Sequence, residues 1–247
     1  METKVPKRLI VMAVLTVMVM VSGCITSNGD DDIVKTGDLR TEDYFVELGP
    51  AQNVKINIEM GTGELEIRPD ATKLMEGTFT YNIDKWKPRF TYDPEGNIWN
   101  LTIRQPNADI EVESDARNEW DLSFGTWVPM EMNVEIGAGT ADIAVAGLDL
   151  ASLSIAIGAG DIALDLTGNR VDHLIVRVGT GNGRVNLIVP DYIGVQIQPT
   201  QGSGTVIAPG LEFRDGNYFN DVFDSSEVFI LIAVDIGVGD LVVLETP

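Results

Sequence analysis

Six segments of the chain repeat one pattern, an alternating apolar and polar run, then Gly-x-Gly, then a second alternating run. They lie at 58–63, 134–139, 155–160, 176–181, 200–204 and 234–239, and from Gly137 the leading glycines recur after 21, 21, 23 and 35 residues. Strand side chains alternate faces, so Val134 and Ile136, Ile155 and Ile157, Val176 and Val178, and Val234 and Ile236 share one face. One such unit cannot bury that face alone. Stacking successive units at the strand spacing of about 4.8 Å covers apolar residue with apolar residue and pairs the backbone groups between layers. The glycines then mark a corner where the chain bends sharply and positive φ is tolerated.

Beyond the corner the alternation resumes with Leu65 and Ile67, Ile143 and Val145, Ile162 and Leu164, Val185 and Leu187, and Leu241 and Val243. The first apolar residue falls four or six positions after the leading glycine, a difference of two that keeps the same face inward. The residue after each Gly-x-Gly is polar (Glu64, Thr140, Asp161, Asn182, Thr205 and Asp240), which predicts a polar column along one edge.

Residues 39–130 read differently. Nine of the seventeen aromatic residues lie between Phe79 and Trp127, including all four tryptophans. Alternating runs at 74–81 and 99–103, with Asp93-Pro94-Glu95-Gly96-Asn97 as a turn, predict antiparallel strands. This region is expected to form a β-sheet subdomain that caps the open end of a repeat domain at 131–247. No convincing helical periodicity follows residue 24, and the expected fold is all-β.

The N-terminus reads as an export signal. Lys4, Lys7 and Arg8 precede an apolar run from Leu9 to Val21, shorter than the roughly 17 to 25 residues of a spanning helix. Val21-Ser22-Gly23-Cys24 follows and resembles the lipobox of prokaryotic lipoproteins. That resemblance implies removal of residues 1–23 and lipidation of Cys24, with 24–38 as a flexible polar linker. The chain would be anchored in the membrane through lipid, on the outer face of the cytoplasmic membrane or in the cell envelope. A signal anchor retained as a helix is the alternative.

Charge and rare residues narrow the function. The formal net charge is −21, from 17 Lys and Arg against 38 Asp and Glu, and such a surface repels phosphate backbones, so no nucleic-acid partner is expected. One cysteine and one histidine, His173, leave little scope for disulfides, Cys/His metal sites or a Ser-His-Asp arrangement. None of the Gly-x-Gly copies has the third glycine and helix start of a dinucleotide site. No cofactor and no catalytic residue is expected.

Several candidates compete with plainer readings. Asp142, Asp161 and Asp240 near the corners could ligate calcium, although capping of turns by aspartate explains them more simply. Trp86, Trp99, Trp120 and Trp127 could stack on sugars, or form the core of the 39–130 region. Asn100-Leu101-Thr102 is a glycosylation sequon that also arises by chance. His173 is expected to be an exposed turn residue.

The segments 74–79, 88–92, 120–122 and 128–129, followed by the Gly-Ala-Gly copies at 137 and 158, resemble the toast-rack family of envelope proteins, related to domains described as adhesins. The resemblance implies a right-handed, single-stranded β-solenoid serving as an interaction or assembly surface, without catalysis. The expected function is a non-enzymatic, lipid-anchored surface protein that contacts an envelope protein or glycan, or another copy of itself. A carbohydrate-binding or carbohydrate-active protein using the tryptophan-rich region, and an accessory of envelope-stress regulation, are the alternatives.

Overall fold

Alternation becomes strand wherever it occurs. The computed structural model of the chain describes residues 34–106 and 110–247, so the signal segment 1–23, Cys24 and most of the linker at 24–38 lie outside the described residues. Among the described residues sixteen strands join through hydrogen bonds into one system, with helix limited to two short 3-10 turns.

The long strands are single rungs bent at their glycines. β2 (Asn53–Pro69), β7 (Met130–Ala144) and β8 (Leu150–Asp165) each run through the corner without interruption. The next rungs are split there, into β9 (Leu174–Asn182) with β10 (Val185–Pro190), β11 (Gly194–Ser203) with β12 (Val206–Ile207), and β15 (Phe229–Val238) with β16 (Leu241–Thr246). Neighbouring rungs are parallel and, apart from a shift between Met130 and Glu131 at the start of β7, in register, as Ile58, Val134, Ile155 and Val178 illustrate. The inward rows on both sides of the corner are buried and belong to one continuous core. Each buried Val, Leu or Ile contributes about 1.5–3 kcal/mol, so a rung is held mainly by the layers above and below it.

Stacking order departs from chain order at the end. β9 pairs with β15, and β15 pairs with β11, so the last rung in sequence is inserted between the two that precede it. Beyond the corner the order repeats, with β10 against β16 and β16 against β12. The chain therefore skips one layer, adds the short antiparallel strands β13 (Glu212–Arg214) and β14 (Asn217–Phe219) outside β11, and returns to fill the gap. A sequential stack holds from β2 to β10 only.

The aromatic region continues the sheet system on the β2 side. β5 (Ile98–Arg104) and β6 (Asn118–Phe124) both lie parallel to β2, one on each side of its corner, while β4 (Arg89–Glu95) and β3 (Met75–Tyr81) pair antiparallel with them. β1 (Arg40–Val46) completes the edge beside β3. The region is thus mixed rather than purely antiparallel, because β5 and β6 together form a rung interrupted at the corner by residues 105–117. β2 carries the first Gly-x-Gly, so the rung stack begins inside residues 39–130.

Candidate interaction surface

The corner is built from two glycine columns. An added Cβ at Gly137, Gly158, Gly181, Gly237 or Gly202 would lie 2.4–2.6 Å from the carbonyl oxygen of the glycine in the adjacent rung. In the second column, an added Cβ at Gly139, Gly160, Gly183 or Gly239 would lie 1.7–1.8 Å from the neighbouring glycine's oxygen, and φ there is +142° to +156°. No side chain fits between layers so closely apposed, and the backbone conformation is one that L residues rarely adopt.

This geometry corrects the fourth repeat. Its corner glycines are Gly181 and Gly183, since Gly181 stacks on Gly158 and Gly183 on Gly160, whereas Gly179 lies one side-chain period earlier, opposite Ala156. With that register the first inward residue follows the leading glycine by four positions in every copy, at Leu65, Ala141, Ile162, Val185, Val206 and Leu241. The polar edge column accordingly contains Arg184 in place of Asn182.

The three candidate aspartates are not brought together. Asp161 accepts the Arg184 N–H at 2.7 Å and Asp240 accepts the Thr205 N–H at 3.0 Å, so each caps the corner of the next layer. Asp142 lies two residues further along its rung and binds Arg68, which donates to its Oδ1 at 3.2 Å. Among the described residues no three His, Cys, Asp or Glu side chains form a group suited to a metal ion.

The tryptophans divide. Trp86 and Trp120 are only 1% exposed and present no face to a sugar, whereas Trp99 is half-buried against Tyr92, with ring centroids 4.7 Å apart. Trp127 is 51% exposed. Asn100 faces outward on β5 and donates to Glu95 at 3.2 Å. His173 is exposed, but its Nδ1 accepts the Phe229 N–H at 3.1 Å and its ring stacks on Phe229, joining the turn before β9 to the start of the inserted rung.

Amide side chains that the repeat pattern does not reveal close the ends of the stack. Gln105 Oε1 accepts the N–H groups of Gly61 and Thr62, and so replaces the backbone carbonyls of the layer that breaks at the corner. Buried Asn118 donates to the Thr62 carbonyl and to Gln105, and accepts the Trp120 indole N–H at 2.9 Å. At the other end buried Asn220 accepts the Val195 N–H and donates to the carbonyls of Pro190 and Ile193. Single amides carry no periodicity, so only their tertiary partners identify them.

Outward side chains form straight rows across the layers. Asn57, Asn133, Ser154, Arg177, Ala233 and Gln198 form one such row before the corner. Beyond it, Glu119, Asp121, Glu64, Glu66 and Asp142 make an acidic area on β6, β2 and β7, which Arg68 partly neutralises through Glu66 and Asp142. A partner with its own regular spacing could engage several layers at once.

Comparison with known proteins bears on this surface. The family model described as the N-terminal domain of toast_rack, DUF2154, matches residues 35–188. A solved protein of Clostridium sporogenes, provisionally assigned to cell adhesion, is 28% identical, with a TM-score of 0.82 over 85% of this chain and 100% of that one. A provisionally assigned adhesin of Bacteroides fragilis covers 85% of this chain and 100% of its own at 11% identity, but its TM-score of 0.35 carries no argument. No curated protein matches the chain.

Proposed function

Because the chain belongs to the toast-rack family, we propose that it is an adhesin-like protein of the cell surface, whose ordered outward rows are its contact surface. The observation that carries this reading is the register of those rows across parallel layers, in a fold shared with the Clostridium sporogenes protein provisionally assigned to cell adhesion. The reading includes a right-handed winding of the layers, a capping role for the 39–130 region and a non-enzymatic action. It also includes attachment through lipid on Cys24. The partner is an envelope protein or glycan.

Binding of the labelled full-length chain to intact cell envelopes tests the proposal. Saturable binding, competed by unlabelled protein and reduced at least tenfold by Glu64→Lys, Glu66→Lys and Glu119→Lys together, is expected. Binding that never saturates, or that ignores the charge reversals, would overturn it.

A further inference from the structure

The edge opposite the glycine corner carries the chain back from the end of each layer to the start of another. Five of these connections line a groove of about 750 Å³, contributing Thr126, Asp149, Arg170, Tyr192 and Glu227 among others. Two of them belong to the layer exchange, since the connection before β11 skips a layer and the one before β15 returns to it. Arg170 is unusual in this setting. Residues 118–247 hold eighteen Asp and Glu but only four arginines and no lysine, yet no carboxylate of the described residues forms an ion pair with Arg170.

Its guanidinium is half-buried. One Nη donates to the Leu150 carbonyl at 3.2 Å, while Nε is buried with no acceptor. Burial pushes this guanidinium below the usual arginine range, and the Asp149 charge only partly opposes the effect. An arginine held partly out of water with no ion-pair contact is costly, and its planar fork matches a carboxylate in a two-point contact. The rest of the lining suits a saccharide. Tyr192 offers an exposed aromatic ring, and Asn169, Ser225, Asp149 and Glu227 offer donors and acceptors for hydroxyl groups.

We infer that this groove binds a carboxylated saccharide, with Arg170 engaging the carboxylate, Tyr192 the sugar ring and the polar rim the hydroxyls. The inference rests on the surface-binding reading for the source of the ligand, and not for the site itself. The net charge of −21 opposes a long polyanion, so a short uronate oligomer is the favoured form.

Calorimetric titration of the full-length chain with trigalacturonate, neutral galactotriose and acetate tests it. Trigalacturonate should bind at least tenfold more tightly than either comparison ligand. Arg170→Gln should lose at least tenfold in trigalacturonate affinity, with Arg170→Lys intermediate because the charge stays while the fork is lost. Tyr192→Ala should weaken trigalacturonate but leave acetate unchanged, and it serves as the test should the Arg170 variants fail to fold. Equal binding of charged and neutral sugars, or variants that bind as the parent does, overturns the inference. Acetate binding as tightly as trigalacturonate overturns the saccharide assignment. Envelope binding without uronate binding rejects this groove and leaves the surface reading intact; uronate binding without envelope binding does the reverse.

Discussion

The run Gly179-Thr180-Gly181-Asn182-Gly183 contains three glycines in unlike environments, so alanine substitution separates the corner from the strand. At Gly183 an added Cβ falls 1.8 Å from the Gly160 oxygen with φ at +156°, and both obstacles are backbone. Relief requires parting the layers by more than an ångström where the Gly183 N–H meets the Val238 carbonyl at 3.0 Å. Backbone strain costs about 1–3 kcal/mol, overpacking about 1–3 kcal/mol and a weakened ladder bond about 1 kcal/mol, giving about 3–7 kcal/mol for Gly183→Ala. At Gly179 the nearest atom to the new Cβ is the Asp235 oxygen at 3.8 Å, an ordinary contact. Gly179→Ala should therefore be neutral or stabilising by up to about 1 kcal/mol, as alanine loses less freedom than glycine in a strand. Urea unfolding measures the difference, and in a domain of this size melting should drop by roughly 6–28 °C for Gly183→Ala alone. Equal destabilisation by the two substitutions would refute the corner register.

Asn118→Ala should cost about 2–4 kcal/mol in urea unfolding, because it strands the buried Trp120 indole N–H and the Thr62 carbonyl. Asn220→Ala should destabilise by a similar amount at the other end, through the Val195 N–H and the carbonyls of Pro190 and Ile193. Hydrogen bonds from Lys87 and Tyr44 lower the Glu42 carboxyl to about 2 from a reference of 4.5. Glu42 therefore stabilises the fold fully above the reference value and ceases to do so as pH falls toward 2. Urea midpoints between pH 2 and 6 should fall less steeply with acid in Glu42→Gln than in the parent.

The layered core was legible because its signal is periodic. Inward residues such as Val134, Ile155, Ile162 and Leu241 follow from alternation alone, and all are buried. Two kinds of feature were hidden for physical reasons. In the fourth repeat Gly179, Gly181 and Gly183 occupy same-face positions, so alternation cannot choose between the pairs, and only the close approach of adjacent layers does. The layer exchange leaves no local mark, because β11 and β15 have interchangeable inward rows, Val195 and Ile197 against Ile230 and Ile232, and their order depends on long-range pairing. The tryptophan cluster was informative as a group but not by member: Trp120 fills the core beside Phe79 while Trp127 remains exposed. Arg170 gave no signal at all, since an arginine in a loop between strands is ordinary until its acceptors are counted.

Pairing across the inserted rung is the most direct test of the architecture. In a Cys24→Ser background, cysteines at Arg177 and Ala233 occupy partner positions on adjacent outward strands, while Arg177 and Gln198 lie on either side of the inserted layer. Adjacent strands sit about 4.8 Å apart, within disulfide reach, and alternate ones about 9.6 Å apart, beyond it. Mild oxidation should crosslink Arg177→Cys with Ala233→Cys and leave Arg177→Cys with Gln198→Cys reduced. Efficient crosslinking of the second pair without the first would mean that the layers follow chain order and that the inserted rung does not exist.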